Sequence, residues 1–320
     1  IKAIASFYPD WFKYGKGLAG INMLSYGDFP EIANDYSDKS IQIPRGAILN
    51  GNLNEVFDVD TRDPEQVQEF VDHSWYKYPE ADKGLHPWDG ITDQHYELPP
   101  GSDGTETKFN WLAPDGKYSW IKSPRWRGHM MEVGPLARMV IGIAKNVPHF
   151  KEPALELLKE LNLPLEAAFS TLGRHAARAL ECHWMTHKLA QYIDDLTANI
   201  KAGDETAANM EFWEPKTWPK ECRGVGPCEA PRGALAHYCV IKNGRLENWQ
   251  AVVPTTWNAS PRSSEGQKGT YELSLIGTPL ADPKRPLEII RTIHSFDPCL
   301  ACATHLYSPE GEELTSVQVC

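Results

Sequence analysis

The stretch Asp297-Pro298-Cys299-Leu300-Ala301-Cys302-Ala303-Thr304-His305 brings two cysteines and a histidine close together in the sequence. Thiolates and imidazole nitrogens are ligands that transition metals prefer, and the C-x-x-C spacing lets both sulfurs turn toward one ion. An isolated C-x-x-C is also typical of half of a structural zinc site or of a redox dithiol. The spacing alone predicts a metal or redox segment and leaves these interpretations open.

Five further motifs lie along the chain, at 122–128 (KSPRWRG), 131–138 (MEVGPLAR), 229–235 (EAPRGAL), 253–258 (VPTTWN) and 286–291 (PLEIIR). With residues 297–305 they resemble the large subunit of the nickel–iron hydrogenases, and most of all its membrane-bound uptake type. The resemblance covers nearly the whole chain. It implies an α+β fold, mostly helical, with small β-sheets and hairpins. It also implies a catalyst that oxidises H2 to protons and electrons.

One motif of that family is missing here. Family members carry an R-x-C-x-x-C motif near the N-terminus that supplies two further thiolates. The remaining cysteines show no such spacing; they are Cys182, Cys222, Cys228, Cys239 and Cys320. The resemblance therefore implies that residues 1–305 are the C-terminal part of a catalytic domain and hold two of four thiolate ligands. We expect the chain by itself to be inactive.

Composition excludes several classes of protein. The formal net charge of −11 argues against nucleic acid as a partner. Seven cysteines, an odd number, do not suggest a disulfide framework. No apolar run approaches the ~20 residues that cross a bilayer. The 41% apolar content and 11 tryptophans are sufficient for a sizeable core and are typical of a chain with large buried interfaces.

Hydrophobic periodicity predicts three helices. A short helix is expected at Glu152–Leu161. A longer one is expected from Leu165 to about Ile200, ended by Gly203, because apolar residues recur there at three- and four-residue steps; this stripe is interpreted as core packing. A third helix is expected at Leu287–His294, directly before the cysteine motif.

Turn signals predict one hairpin and two irregular stretches. Asn243-Gly244 lies between Leu235–Ile241 and Arg245–Val253, which is typical of a β-hairpin with a type I′ turn. Residues 61–120 are rich in Pro, Gly and Asp and are expected to be irregular. Residues 211–233 are expected to form a Pro- and Gly-rich loop.

The resemblance implies roles for the residues of a Ni–Fe(CN)2CO centre. Cys299 would be a terminal nickel ligand and Cys302 a bridge between nickel and iron. Arg232 would lie over the open side of the metal pair, bond one cyanide and receive a proton. Asp297 would orient Arg232. The alternative for Arg232 is a structural arginine that pairs with Glu229 or Asp297.

Three further residues complete this set by resemblance. Pro231 would form a wall of the pocket, and Thr255 would bond the second cyanide. Glu229 is a candidate catalytic carboxylate that relays protons. Glu132 is a second candidate for a buried carboxylate, for which a structural salt bridge is an equal interpretation.

The resemblance also implies a second ion and a cleavage site. His305 would bind Mg²⁺ or another divalent ion, together with the backbone carbonyl of Ala251. Residues 306–320 would be an extension that a maturation endopeptidase removes between His305 and Leu306 after nickel is loaded.

The implied partners are an iron–sulfur small subunit, a cytochrome b membrane anchor, nickel chaperones and H2. The implied location is the periplasmic side of the cell membrane, reached by export together with the small subunit from a cytoplasmic precursor. Two alternatives are a hydrogen-sensing regulatory subunit and a non-catalytic relative of the complex I type. Cys299 and Cys302 argue against the second, and the extension argues against the first.

Overall fold

The computed structural model describes residues 1–32, 35–80, 83–96, 116–208, 210–299, 302–308 and 312–319, with the backbone alone for 302–304 and 317–319. The helices are α1 Lys2–Phe7, α2 Pro135–Ala144, α3 Pro148–Glu160, α4 Thr171–Lys201, α5 Pro254–Asn258, α6 Thr270–Leu275 and α7 Leu287–His294. The strands are β1 Met23–Pro30, β2 Ile41–Ile48, β3 Val67–Phe70, β4 Ser123–Trp126, β5 Glu132–Val133, β6 Glu221–Ala230, β7 Gly233–Lys242, β8 Arg245–Val252, β9 Cys302–Tyr307 and β10 Glu313–Val319. Helix accounts for 33% and strand for 24%, so helix is the larger share but not the bulk of the chain.

The strands form four small sheets. β1 lies between antiparallel β2 and parallel β5, and β6, β7 and β8 form an antiparallel sheet in that order. β3 pairs with β4, and β9 pairs with β10. The two three-stranded sheets share a core, because Leu24 and Tyr26 of β1 pack with Ala236 and Tyr238 of β7. This packing brings the β6–β7 hairpin to the beginning of α2.

Aromatic side chains fill this shared core. Trp126 and Trp257 are 0% and 1% exposed. The Trp257 ring lies edge-on to Tyr26 with 6.5 Å between centroids, and Trp126 Nε1 donates to Gln66 Oε1 at 3.1 Å. Part of the tryptophan content therefore stabilises the interior, where each indole buries a large apolar area. Other tryptophans, such as Trp213, are exposed.

The predicted helices are present, with shifted starts. α7 has the predicted bounds Leu287–His294. α3 begins before the predicted Glu152, with Pro148 at its first position, where the missing amide proton costs nothing. The long helix begins only at Thr171, because Ser170 caps it by accepting a hydrogen bond from the Gly173 amide at 3.0 Å. Residues Leu165–Ala168 form a separate 3-10 turn.

The stripe on α4 is core packing only in its first half. Leu172, Ala176 and Ala177 are buried. Toward the other end, Leu189, Ile193, Leu196 and Ile200 are more than half exposed. None of the described helices combines the length and apolarity that crossing a bilayer requires.

The predicted hairpin is confirmed. Lys242 pairs with Arg245 across the turn, and Asn243 and Gly244 have φ values of 52° and 72°, as a type I′ turn requires. The predicted loop at 211–233 is wrong over Glu221–Ala230, which form β6. β6 is an edge strand, and an edge tolerates Pro227 because one side of the strand needs no ladder hydrogen bonds.

The irregular stretch predicted at 61–120 is interrupted. Val67–Phe70 form β3, which pairs with β4. Pro87–Asp89 form a 3-10 turn. Residues 97–115, which also belong to that prediction, lie outside the described residues.

Candidate metal centre

The tip of the β6–β7 hairpin carries two of the predicted residues. Ala230 pairs with Gly233, so Pro231 and Arg232 form the two-residue connection. Gly233 has φ of +129°, and a Cβ there would lie 2.5 Å from the Gly134 nitrogen. The tip therefore packs against the residue that precedes α2, and glycine is required for this close approach.

Arg232 and Asp297 are in contact. Arg232 Nε donates to the Asp297 carbonyl oxygen at 2.6 Å, and Nη2 donates to Asp297 Oδ1 at 3.3 Å. Asp297 follows the end of α7, where its amide donates to the His294 carbonyl oxygen and its φ is +54°. The two side chains are 37% and 41% exposed, so the guanidinium is held at the edge of the protein rather than inside it. The contact is compatible with an orienting role for Asp297, which stays a prediction.

Cys299 lies beside Thr255. The Cys299 amide donates to Thr255 Oγ1 at 3.1 Å, and the thiol is free and exposed. Thr255 is buried at the beginning of α5. A hydroxyl that accepts one hydrogen bond still has its own proton to donate, so the predicted bond from Thr255 to a cyanide is compatible with this contact. That role stays a prediction.

The remaining predicted metal ligands lie on β8 and β9. Ala251 belongs to β8 and pairs with His237 of β7. Cys302 begins β9, and its side chain lies outside the described residues. His305 is exposed, and its Nδ1 lies 3.1 Å from Glu313 Oε1 of β10. Among the residues whose side chains are described, no three His, Cys, Asp or Glu converge on one point.

β9, which contains the predicted cleavage bond, pairs with β10 of the predicted extension. Leu306 is opposite Thr315, and His305 is opposite Ser316. The bond predicted to be cleaved therefore lies inside β9, paired on one side with β10. Cleavage at this bond stays a prediction.

Glu229 is fully buried at the end of β6. Its Oε1 accepts the Tyr26 amide at 2.6 Å, and its Oε2 accepts from Arg138 Nη1 at 2.9 Å. Burial raises the pKa of the Glu229 carboxyl to about 7, since desolvation outweighs the opposing effect of Arg138. A carboxyl with this pKa can exchange a proton near neutrality, but both oxygens also have structural partners. Its relay role stays a prediction.

Glu132 forms the structural salt bridge that the sequence left open. Arg174 Nε lies 2.7 Å from Glu132 Oε1, and Nη2 lies 2.9 Å from Oε2. Both residues are buried. The guanidinium also stacks on Phe296 at 3.9 Å, next to Asp297.

Sequence reasoning missed the group that links these elements, Arg138 of α2. It donates to Glu229, to Glu181 of α4 and to the carbonyl oxygens of Ala230 and Pro231. The only sequence signal was its place at the end of the motif 131–138. That position gave no role, because its partners lie about 40 to 90 residues away.

The described residues fit one side of a soft-metal centre. Cys299 has an exposed free thiol, its amide contacts Thr255, and Asp297, which holds Arg232, precedes it by two residues. Thiolate sulfur is the ligand that nickel and iron take in such centres, and the guanidinium and hydroxyl can donate to anionic groups on a metal. The described ligand set is open and requires further donors.

Comparisons with known proteins agree with this chemistry. The family model for nickel-dependent hydrogenases matches residues 1–305. The uptake hydrogenase large subunit of Rhizobium leguminosarum bv. viciae is 61% identical over 319 residues, which is 100% of this chain and 53% of the relative. The hydrogenase-1 large chain of Escherichia coli K12 is 52% identical over 317 residues, 99% of this chain and 53% of the relative. The chain thus spans about half the length of these curated relatives.

Solved structures show the same fold. The reduced nickel–iron–selenium hydrogenase of D. vulgaris Hildenborough aligns with a TM-score of 0.71 at 34% identity, covering 93% of this chain and 55% of the other. The reduced, active enzyme from Desulfomicrobium baculatum aligns with a TM-score of 0.69 at 32% identity, covering 93% and 54%. The family identified from the sequence motifs is confirmed.

Proposed function

This chain belongs to the nickel-dependent hydrogenase family, and on that premise we propose that it is the C-terminal part of the catalytic large subunit of an uptake hydrogenase. The reaction is the oxidation of H2 to two protons and two electrons. The observation that carries the proposal is the contact of Arg232 with Asp297, two residues before the exposed thiol of Cys299.

Cys299 and Cys302 would hold one side of a nickel–iron centre with CO and cyanide ligands, and that centre would supply the place where H2 binds and its electrons are taken up. Arg232 is held through Nε and Nη2 by Asp297, and among the described residues these contacts leave Nη1 available to donate to a ligand of the centre. The guanidinium would stabilise anionic ligands of the centre and receive a proton released from H2. Thr255 fixes the backbone of Cys299 and keeps a hydroxyl proton to donate.

Proton exit is assigned to Glu229. Its carboxyl is buried behind the hairpin tip, and its pKa of about 7 suits both protonation states at neutral pH. Exchange requires the carboxyl to release one of its two partners, Tyr26 or Arg138, while it holds the proton.

Magnesium binding would follow processing. His305 Nδ1 faces Glu313 of the extension, so His305 becomes available to a divalent ion, with the carbonyl of Ala251, once residues 306–320 are removed. Metal loading would order the segment that the endopeptidase cuts, because binding and local folding are coupled.

The partners follow from the same proposal. Electrons leave through an iron–sulfur small subunit, since the cysteines of this chain do not provide a cluster chain. A cytochrome b anchor would receive them at the periplasmic side of the membrane. Nickel chaperones and the endopeptidase act earlier, in the cytoplasm.

The test is a holoenzyme that contains this chain together with its small subunit. We expect hydrogen-dependent dye reduction, stoichiometric nickel and infrared bands of CO and cyanide. A protein with full nickel and those bands, in which H2 changes the infrared bands but the dye is not reduced, would contradict the assignment as a catalytic subunit and favour a sensor.

A further inference from the structure

Arg138 uses all five N–H groups of its guanidinium. Nε donates to Glu181 Oε2 at 2.8 Å, and Nη2 donates to the other oxygen of Glu181. Nη1 donates to Glu229 Oε2 at 2.9 Å and to the Ala230 carbonyl oxygen at 2.7 Å. The second proton of Nη2 points to the Pro231 carbonyl oxygen at 3.3 Å. An arginine side chain has five such donors and no more, so the group is saturated.

Two of these acceptors lie immediately before the proposed catalytic arginine. The carbonyls of Ala230 and Pro231 belong to the peptide units that lead into Arg232. Holding both carbonyl oxygens fixes the direction in which the chain enters Arg232. The close packing of Gly233 on Gly134 fixes the position of the tip, but packing alone does not fix the rotation of those peptide planes.

The other acceptors anchor the guanidinium itself. Arg138 is 0% exposed, and its two carboxylate partners are Glu181 on α4 and Glu229 on β6. A buried charge is costly unless it is paired and hydrogen-bonded, so this arrangement is stable only while all partners remain in place. These contacts of Arg138 with Glu181, Glu229 and the two carbonyl oxygens form a clamp. The clamp joins α2, α4 and the hairpin tip through one rigid planar group.

We propose that Arg138 is a positioning residue for H2 oxidation: it orients the peptide units that precede Arg232 and thereby holds Arg232 in its contact with Asp297. The inference rests on the proposed function of Arg232. A merely structural Arg138 would stabilise the fold without affecting catalysis through Arg232.

Arg138→Lys in the holoenzyme separates these two roles. Lysine keeps the positive charge but has three donors on a point-like group, so it cannot hold two carboxylates and two carbonyls together. The matched control is Arg125→Lys, which alters another buried arginine that pairs with Asp72 and does not contact the hairpin tip. Both variants are expected to lower the thermal midpoint.

The first measurement is hydrogen exchange at the amides of Arg232, Gly233 and Ala234. We expect Arg138→Lys to raise exchange there about tenfold, because lost hydrogen bonds to a charged group reduce local stability. Arg125→Lys should leave these amides at the wild-type rate. Unchanged exchange in Arg138→Lys would overturn the clamp.

The second measurement is a double-mutant cycle on kcat. Arg138→Lys should lower kcat by about 10²-fold, the scale of a 1 Å misplacement of a catalytic group. Adding it to Arg232→Lys should cost little more than Arg232→Lys alone, because Arg138 acts through Arg232. Effects that multiply would overturn the positioning role.

The outcomes also separate this inference from the proposed function. A wild-type holoenzyme without H2 oxidation, in which Arg138→Lys still loosens the tip, would refute the function and leave the clamp standing. If Arg138→Lys does not accumulate, Glu181→Gln removes the anchor on α4 alone. It should raise exchange at the same three amides by a smaller factor, and wild-type exchange there would overturn the clamp.

Discussion

The two sides of the candidate centre differ in how the chain holds them. On the arginine side, Pro231 and Arg232 stand on a paired hairpin, packed on Gly134 and clamped by the saturated guanidinium of Arg138. On the thiolate side, Cys299 is exposed, and the hydrogen bond described for it runs from its amide to Thr255. The arginine side is preorganised by the polypeptide, whereas the thiolate side has few described contacts of its own.

This difference has an energetic reason. A group that stabilises developing charge is effective only if it is already oriented, so the fold holds it with buried hydrogen bonds. A thiolate ligand takes its position from the metal–sulfur bond, and the free energy of metal binding can order its segment. The buried hydrogen bonds of Arg138 and the packing of Gly233 on Gly134 therefore lie on the arginine side of the centre.

The largest effect is expected from Cys299→Ala, which removes the ligand that the thiolate side presents. Nickel content should fall to background, H2 oxidation should be lost, and residues 306–320 should remain attached. The matched control is Cys182→Ala, which alters another exposed free cysteine on α4. Nickel analysis and intact mass measure the result. A processed, nickel-replete Cys299→Ala protein would show that neither nickel loading nor removal of residues 306–320 requires the Cys299 thiol.

Arg232→Lys tests the arginine side and should come second. The substitution keeps the charge but loses the planar fork, so we expect a drop in kcat of roughly 10²–10⁴-fold with nickel retained. Arg223→Lys is the control, because Arg223 is an exposed arginine on β6, the strand that leads to the hairpin tip. An equal loss of kcat in both variants would show that the effect is not specific to Arg232. A loss of nickel in Arg232→Lys would show that the arginine side, too, is needed to hold the metal.

Local sequence signals predicted the elements whose contacts are local. Asn243-Gly244 specifies its own turn, and the periodicity of 287–294 specifies α7. β6 was missed because Pro227 has the signature of a loop, and the strand exists through its pairing with β7. The start of α4 was misplaced because apolar spacing does not distinguish a 3-10 turn from the helix that follows.

The candidate site likewise combines residues that the local sequence reveals with residues whose contacts are distant in the chain. Cys299 and Cys302 were visible from their spacing, whereas Arg232 and Asp297 were assigned only by resemblance. Their contact joins residues 65 positions apart, which no window of sequence reveals. Arg138 lies inside the motif at 131–138, and its role could not be predicted because its acceptors on Glu181, Glu229, Ala230 and Pro231 are distant in the sequence.

Asp297→Asn probes the link between the two sides, and its expected effect is smaller. The Nε bond of Arg232 goes to the Asp297 backbone oxygen, which the substitution keeps. The ion pair is partly exposed, and pairs of this kind contribute roughly 0–1 kcal/mol, so kcat should fall only about two- to fivefold. Asp282→Asn, in an exposed pair with Arg285, is the control. A loss as large as that of Arg232→Lys would show that Asp297 contributes more than orientation.

The smallest effect concerns Glu229 and the pH dependence of stability. Burial raises the pKa of Glu229 from 4.5 in the unfolded chain to about 7 in the folded one. Between these values the folded state binds a proton that the unfolded state releases, so this group's contribution to stability is complete below pH 4.5 and decreases as pH rises to 7. Burial raises the pKa of Glu69 to about 7 as well, so that residue contributes a second decrease of the same sign.

Glu229→Gln should therefore reduce the fall in thermal midpoint between pH 5 and pH 7 by about 4–8 °C, the equivalent of roughly 2 kcal/mol, in the holoenzyme. Its midpoint at pH 5 should lie near that of the wild type, because the amide, like the protonated carboxyl, has one carbonyl oxygen to accept from Tyr26 or Arg138. Glu65→Gln alters an exposed carboxylate and should leave the pH dependence unchanged. An unaltered fall in Glu229→Gln would mean that Arg138 keeps the carboxylate charged throughout this range, and the arginine side would then be a permanent ion-pair network without a proton to relay.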